Sequence, residues 1–173
     1  MPDQVVVVEE ALKTAIQMET LGRDFYLKAS KNCGNEPGQK LFRTLAREEA
    51  THRRDFEKIY EAIRYEHAWP KTRTSVGKIK HQPHLSSITA EICQMVKPEK
   101  AEIEAVKTAI KMENTSYDFY RKQSARAVYP AEKEFYTAVS ATENGHRLAL
   151  IDYLEFLEDP EGYFVSKEHP SLD

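Results

Sequence analysis

The sequence predicts an all-α protein, a four-helix bundle made of two duplicated helical hairpins joined by a long crossover. Three observations predict it. The chain repeats itself: Ala11–Tyr26 reads ALKTAIQMETLGRDFY, and ninety-four positions later Ala105–Tyr120 reads AVKTAIKMENTSYDFY. Such self-similarity constrains the architecture before any residue-level argument. Apolar residues recur in alternating steps of three and four, the period of one helix face. The balance of 40% apolar to 31% charged residues, with only six glycines, suits amphipathic helices with solvated outer faces. At 173 residues the chain suffices for one domain with a sizeable core. The expected division is hairpin 1 over about 4–66, a crossover over 67–98, hairpin 2 over about 99–158 and a tail over 159–173.

The first seam is Val5, Val8, Leu12, Ala15, Glu19, Gly22, Tyr26 and Ala29, apolar except near Glu19. The valines at its start are weak helix formers, so this end relies on packing. Gly34 is a stop signal, and Asn35 or Glu36 before Pro37 restarts the chain. The second seam is Phe42, Leu45, Glu49, His52, Phe56, Ile59 and Ile63, ending near Glu66–Pro70. Pro70, Gly77, Pro83 and Pro98 then punctuate a stretch in which Leu85–Val96 is a candidate short helix. Antiparallel neighbours need only about two to eight connecting residues. This length suits a crossover that runs along the bundle to start a parallel element. Pro98 can open the third helix, with Glu99 and Glu102 at its positive end. Its seam is Val106, Ala109, Glu113, Ser116 and Tyr120. After the break at Val128-Tyr129-Pro130, the fourth seam is Tyr136, Val139, Glu143, His146, Leu150, Tyr153 and Leu157, stopping at Asp159-Pro160. The tail, with Tyr163 and Phe164, is expected to fold back over the bundle or onto a partner.

Each half contains a Glu and, thirty residues later, Glu-x-x-His: Glu19 with Glu49 and His52, Glu113 with Glu143 and His146. The midpoint of Glu19 and Glu49 is Gly34, in the predicted turn, and that of Glu113 and Glu143 is Val128, in the other. At about 1.5 Å per residue each Glu lies roughly 20 Å from its turn, so paired hairpins bring four polar centres to one level. Residues three apart share a helix face. Four carboxylates and two imidazoles thus point into the core, and an unpaired buried charge costs several kcal/mol. Two divalent cations with four carboxylates and two neutral histidines balance formally to zero. Mixed oxygen and imidazole ligation suits iron, with manganese or zinc as alternatives. One Glu on each of two helices, plus Glu-x-x-His on each of the others, is the pattern of carboxylate-bridged dimetal bundles.

Tyr26 and Tyr120 follow their glutamates by seven and share their face. They either orient ligand carboxylates and relay protons and electrons, or simply pack in the core. Gly22 and Ser116, one turn from the ligands, leave room for dioxygen or peroxide or allow close helix packing. Glu48 lies 100° round the helix from Glu49 and is read as solvated, with a spare ligand as the alternative. His67, His81, His84 and His169 read as solvent histidines.

The rest of the sequence narrows the function. A net charge of −3 gives no basic footprint for nucleic acid, and Lys71, Arg73, Lys78 and Lys80 read as a solvated loop. Cys33 and Cys93 form no C-x-x-C, which argues against a disulfide framework or thiolate metal site. No stretch spans a bilayer, and the N-terminus lacks the pattern of a signal peptide, so the expected setting is cytoplasmic.

At Glu19, Glu49–His52, Glu113, Glu143–His146, Tyr26 and Tyr120 the chain resembles the ferritin-like superfamily, and within it the rubrerythrin branch. The likeness covers about Val5–Ile63 and Glu99–Leu157. It implies a ferritin-like four-helix bundle holding two iron ions per chain, with Glu49 and Glu143 bridging and Glu19, Glu113, His52 and His146 as the other ligands. It also implies reaction of ferrous iron with hydrogen peroxide or dioxygen, in a peroxide reductase, ferroxidase or iron store, assembled as a homodimer or larger oligomer. The sequence departs from that family twice. It has no rubredoxin-like pair of C-x-x-C motifs, so a separate electron donor, rubredoxin-like or other, or the ferrous iron itself must supply electrons. Ser116 stands where rubrerythrins tend to have an extra glutamate. An oxidoreductase is the leading expectation, ahead of a non-catalytic iron-storage protein and of a structural module stapled by metal.

Overall fold

The computed structural model describes residues 2–66, 69–70 and 99–168. Within them lie five helices: α1 (Pro2–Asn32), α2 (Glu36–Glu66), α3 (Lys100–Arg126), α4 (Pro130–Glu158) and α5 (Pro160–Glu168). The described residues contain no strand. The candidate helix over Leu85–Val96, most of the crossover and the four solvent histidines lie outside the described residues.

Helices α1 and α2 form one hairpin and α3 and α4 the other, with α1 also against α3 and α2 against α4. Tyr26 meets Glu113 while Tyr120 meets Glu19, so α1 and α3 run antiparallel. Cys33, at the first turn, touches Glu102 at the start of α3. The third helix therefore begins where α1 ends and runs parallel to α2, which requires the connection to traverse the length of the bundle. This is an all-α ferritin-like bundle.

The local signals act where their chemistry predicts. Helix α1 stops before Gly34, and of the two candidate restart residues Asn35 is the cap: its Oδ1 accepts the Gly38 backbone N–H at 2.9 Å. A side chain at Gly38 would overlap the Tyr153 hydroxyl, so close approach of α4 demands glycine there. Glu99 is the N-cap of α3 and Lys100 its first residue, two positions after the proline expected to open it. Pro130 opens α4, and Glu132 reaches back to the backbone N–H groups of Val128 (3.1 Å) and Tyr129 (3.4 Å).

The tail is more ordered than its sequence suggested. Asp159-Pro160 not only ends α4 but starts α5, with Asp159 Oδ1 accepting the Gly162 N–H at 3.0 Å. That is an acidic N-cap followed by proline at the first helical position. Helix α5 turns back so that Tyr163 packs edge-on against Phe156 and donates to Asp152 Oδ2 at 2.8 Å.

The second and fourth seams are buried at every position. Two apolar clusters result. One, toward the first turn, includes Tyr26, Phe42, Leu45, Val106, Leu150 and Tyr153. The other, toward the opposite end, includes Leu12, Phe56, Ile59, Trp69, Tyr120 and Tyr136. Burying each large side chain is worth about 1.5–3 kcal/mol. Between the clusters lies a layer of charged residues, and the packing on both sides fixes its height. In α1, Val5 and Val8 pack on the second cluster, whereas Val6 and Val7 face outward.

Candidate metal centre

Glu19, Glu49, His52, Glu113, Glu143 and His146 come together in this central layer, each at most 3% exposed. The heptad-like packing of the four seams carries them there, as the equal spacing from the two turns requires. They group into two overlapping quartets. Glu19, Glu49, His52 and Glu143 form one, and Glu49, Glu113, Glu143 and His146 the other. Within each quartet the candidate donor atoms all lie within 4.8 Å of one another. A cation held at about 2.0–2.2 Å by nitrogen and oxygen ligands spans a shell of that size. Glu49 and Glu143 belong to both quartets. Exchange of the two halves of the repeat converts one quartet into the other.

The inward-facing atoms are short of partners. His52 Nδ1 lies 3.2 Å from Glu19 Oε2 and 3.2 Å from Glu143 Oε1. His146 Nδ1 lies 3.2 Å from Glu49 Oε1 and 3.6 Å from Glu113 Oε1, without the alignment of a hydrogen bond to either. Glu49 Oε1, Glu113 Oε2, Glu143 Oε1 and His146 Nδ1 are all buried with no hydrogen-bond partner. Buried polar atoms are normally paired, and buried charges are paired or bind metal. Four orphaned donor atoms facing one small space fit cations as the missing partners. Carboxylate oxygen and imidazole nitrogen are the ligands that iron, manganese and zinc accept.

In the metal-free state protons do part of the compensation. Burial pushes Glu49 well above its ordinary range, and the charges of Glu19 and Glu143 add to it. Burial, then Glu113 and Glu19, pushes Glu143 up to about 8. Burial acts upward on Glu19 too, but contacts with Glu49, His52 and Tyr120 outweigh it and hold Glu19 below its usual value. Burial opposes the charged form of His52, yet Glu19 and Glu143 outweigh it and raise the ring to about 10. His146 follows the same balance, with Glu113 the strongest of its carboxylate neighbours. Crowded carboxylates thus keep protons on one another and on the imidazoles, where divalent cations would displace them.

The tyrosines cross between hairpins. The Tyr26 hydroxyl donates to Glu113 Oε1 and the Tyr120 hydroxyl donates to Glu19 Oε1. Burial, followed by the charge of those same carboxylates, raises both phenols well above their usual value, so they stay protonated donors. Each also packs in an apolar cluster, so the same side chain both contacts a quartet carboxylate and fills the core. A Cβ on Gly22 would stand 3.4 Å from the Glu49 carboxylate, at ordinary contact distance, so the helix backbone at Gly22 lies directly beside that carboxylate.

One position differs from its sequence reading. Glu48 is not solvated: it is 7% exposed, and its Oε2 accepts His146 Nε2–H at 2.7 Å, from the opposite side of the ring to the quartet. The 100° offset from Glu49 turns Glu48 toward α4, a direction that α2's own periodicity does not reveal. A second cluster also went unread. Glu102 is buried beside the first turn, where its Oε1 accepts from Cys33 Sγ (2.7 Å), Asn35 Nδ2 (2.9 Å) and Tyr153 Oη (2.5 Å).

No helix among the described residues is long and apolar enough to cross a membrane. Comparison with curated proteins and with solved structures gave no match. The Rubrerythrin family model matches residues 10–154, a span that begins in α1, ends in α4 and includes all six quartet residues. Match, fold and buried carboxylate–histidine cluster together place this chain in the rubrerythrin family.

Proposed function

We propose that this protein is a non-haem dinuclear-iron oxidoreductase in which ferrous iron reacts with hydrogen peroxide or dioxygen, as a peroxide reductase or ferroxidase. The observation that carries the reading is the pair of overlapping quartets sharing Glu49 and Glu143, with orphaned donor atoms facing inward. In this reading Glu19 and His52 would hold one metal and Glu113 and His146 the other, with Glu49 and Glu143 shared between the two positions. Iron held there would supply redox chemistry and Lewis acidity. The chain supplies position and protons. Tyr26 and Tyr120 lock the terminal carboxylates Glu113 and Glu19 from the opposite hairpin, and each offers a phenolic proton beside the site. The apolar clusters above and below exclude bulk water.

Reducing equivalents come in this proposal from a rubredoxin-like or other donor, or from the ferrous iron itself. A cytoplasmic setting and assembly as a homodimer or larger oligomer belong to the same proposal. Iron storage without turnover uses the same ligands, and Ser116 in place of a further carboxylate favours it as the second reading.

Metal analysis of freshly isolated protein, followed by stopped-flow mixing of the ferrous form with each oxidant, tests the proposal. About two irons per chain, a fast near-ultraviolet absorbance rise, and loss of both in Glu49→Ala are expected. Zinc or no metal, with a silent trace after iron loading, would overturn it. Sustained peroxide consumption with an added donor separates enzyme from store.

A further inference from the structure

The ligand set is symmetric under the repeat, but its surroundings are not. The ninety-four-residue offset pairs Glu19 with Glu113, Glu49 with Glu143, His52 with His146 and Tyr26 with Tyr120. It also pairs Glu48 with Thr142, and there the symmetry breaks. Glu48 accepts the Nε2–H of His146 at 2.7 Å. Thr142 gives His52 nothing comparable. Its hydroxyl donates to the Ala138 carbonyl at 3.2 Å within its own helix, and His52 Nε2 is buried without a hydrogen-bond partner.

We infer that Glu48 makes the two metal positions unequal, so that the position held by Glu113 and His146 fills first and that held by Glu19 and His52 second. The inference rests on the dinuclear reading above. Its physical basis is the tautomer. A carboxylate on Nε2–H holds the neutral ring with its Nδ1 lone pair facing the quartet and makes that nitrogen more basic. It also fixes the ring plane. His52 must adopt the same tautomer to bind through Nδ1, leaving its Nε2–H buried and unpaired. Glu48 is thus a positioning residue, acting on the metal only through His146.

The test is anaerobic titration of the full chain with cobalt(II), which is not oxidised by trace oxygen as ferrous iron is. Calorimetry and visible absorption follow binding, and paramagnetically shifted proton resonances report the exchangeable histidine N–H groups. Wild type is expected to bind two ions in two steps separated by about 10–100-fold in affinity, the typical effect of such an outer partner. One histidine N–H should exchange slowly and the other fast. His52→Ala should abolish the weak step and spare the tight one. Glu48→Thr, which copies the second half of the repeat, should weaken the tight step until the two merge, and the slow N–H should become fast. Thr142→Glu, which copies the first half, should instead strengthen the weak step, so the inference stays testable if Glu48→Thr fails to fold. Two ions bound with a single affinity in wild type, or a separation unchanged in both variants, would overturn it while leaving the dinuclear reading intact. Failure of wild type to bind either ion would overturn the dinuclear reading and this inference with it.

Discussion

Two regions of this bundle bury carboxylates to a similar depth and treat them in opposite ways. Beside the first turn, Glu102 is 8% exposed, and one of its oxygens receives three donors, from Cys33, Asn35 and Tyr153. Burial and Glu102 together push the Cys33 thiol up to about 11, so it stays a neutral donor. That cluster is closed: its polar atoms satisfy one another and pin the turn to the starts of α2 and α3. The central layer holds more carboxylate oxygens than donors to meet them, and several of its buried polar atoms have no partner. Burial alone does not mark a functional site. The ratio of donors to acceptors does, because an unsatisfied polar layer persists only where packing on both sides compensates or a ligand completes it.

The contrast can be broken by mutation. The largest effect is expected from Glu143→Gln. It removes a carboxylate shared by both quartets, so affinity for the metal pair should fall by at least 100-fold in calorimetry. Glu143 holds its proton up to about pH 8 in the metal-free protein, so a neutral amide of the same shape should leave the metal-free melting temperature unchanged or higher at pH 7. A clear fall in that temperature would mean the layer is structural in its own right. The opposite pattern is expected from Glu102→Ala. Three buried donors lose their acceptor, which should cost about 2–3 kcal/mol in denaturant unfolding while metal stoichiometry stays the same. The most gradual effect is that of pH on the metal-free protein. His52, raised to about 10, contributes stability that is complete below its unfolded value near 6.5 and lost as pH climbs through 10. Glu143, raised to about 8, contributes stability that is likewise lost between about 4.5 and 8. Both make the folded state bind more protons than the unfolded one, so melting temperature should fall from pH 6 to pH 10. Metal should reverse that slope, because binding releases those protons and tightens as pH rises.

What the sequence made legible is what its periods encode. The four seams, the two turns and the convergence of Glu19, Glu49, His52, Glu113, Glu143 and His146 follow from 3.6-residue spacing combined with equal distance from each turn. What it hid are relations between helices distant in the chain. Glu48 looked solvated because its own helix gives no sign of what stands opposite, and His146 is ninety-eight residues away. Glu102 looked like an ordinary first-turn acid for the same reason: its three donors lie on α4 and in the turn before α2. Helix α5 was missed differently. Asp159-Pro160 carries a stop and a start in the same two residues, and the stop was the more familiar signal.

The repeat bears on how freely this chain can change. A duplicated segment usually leaves one copy at liberty to drift while the other keeps the task. Here neither copy is spare, because Glu49 from the first and Glu143 from the second each belong to both quartets. Replacing either would alter both quartets at once, so the repeat adds no redundancy to the cluster. Next to the centre the halves differ at pairs such as Glu48 and Thr142 or Gly22 and Ser116. At those positions two once-interchangeable halves can acquire separate duties.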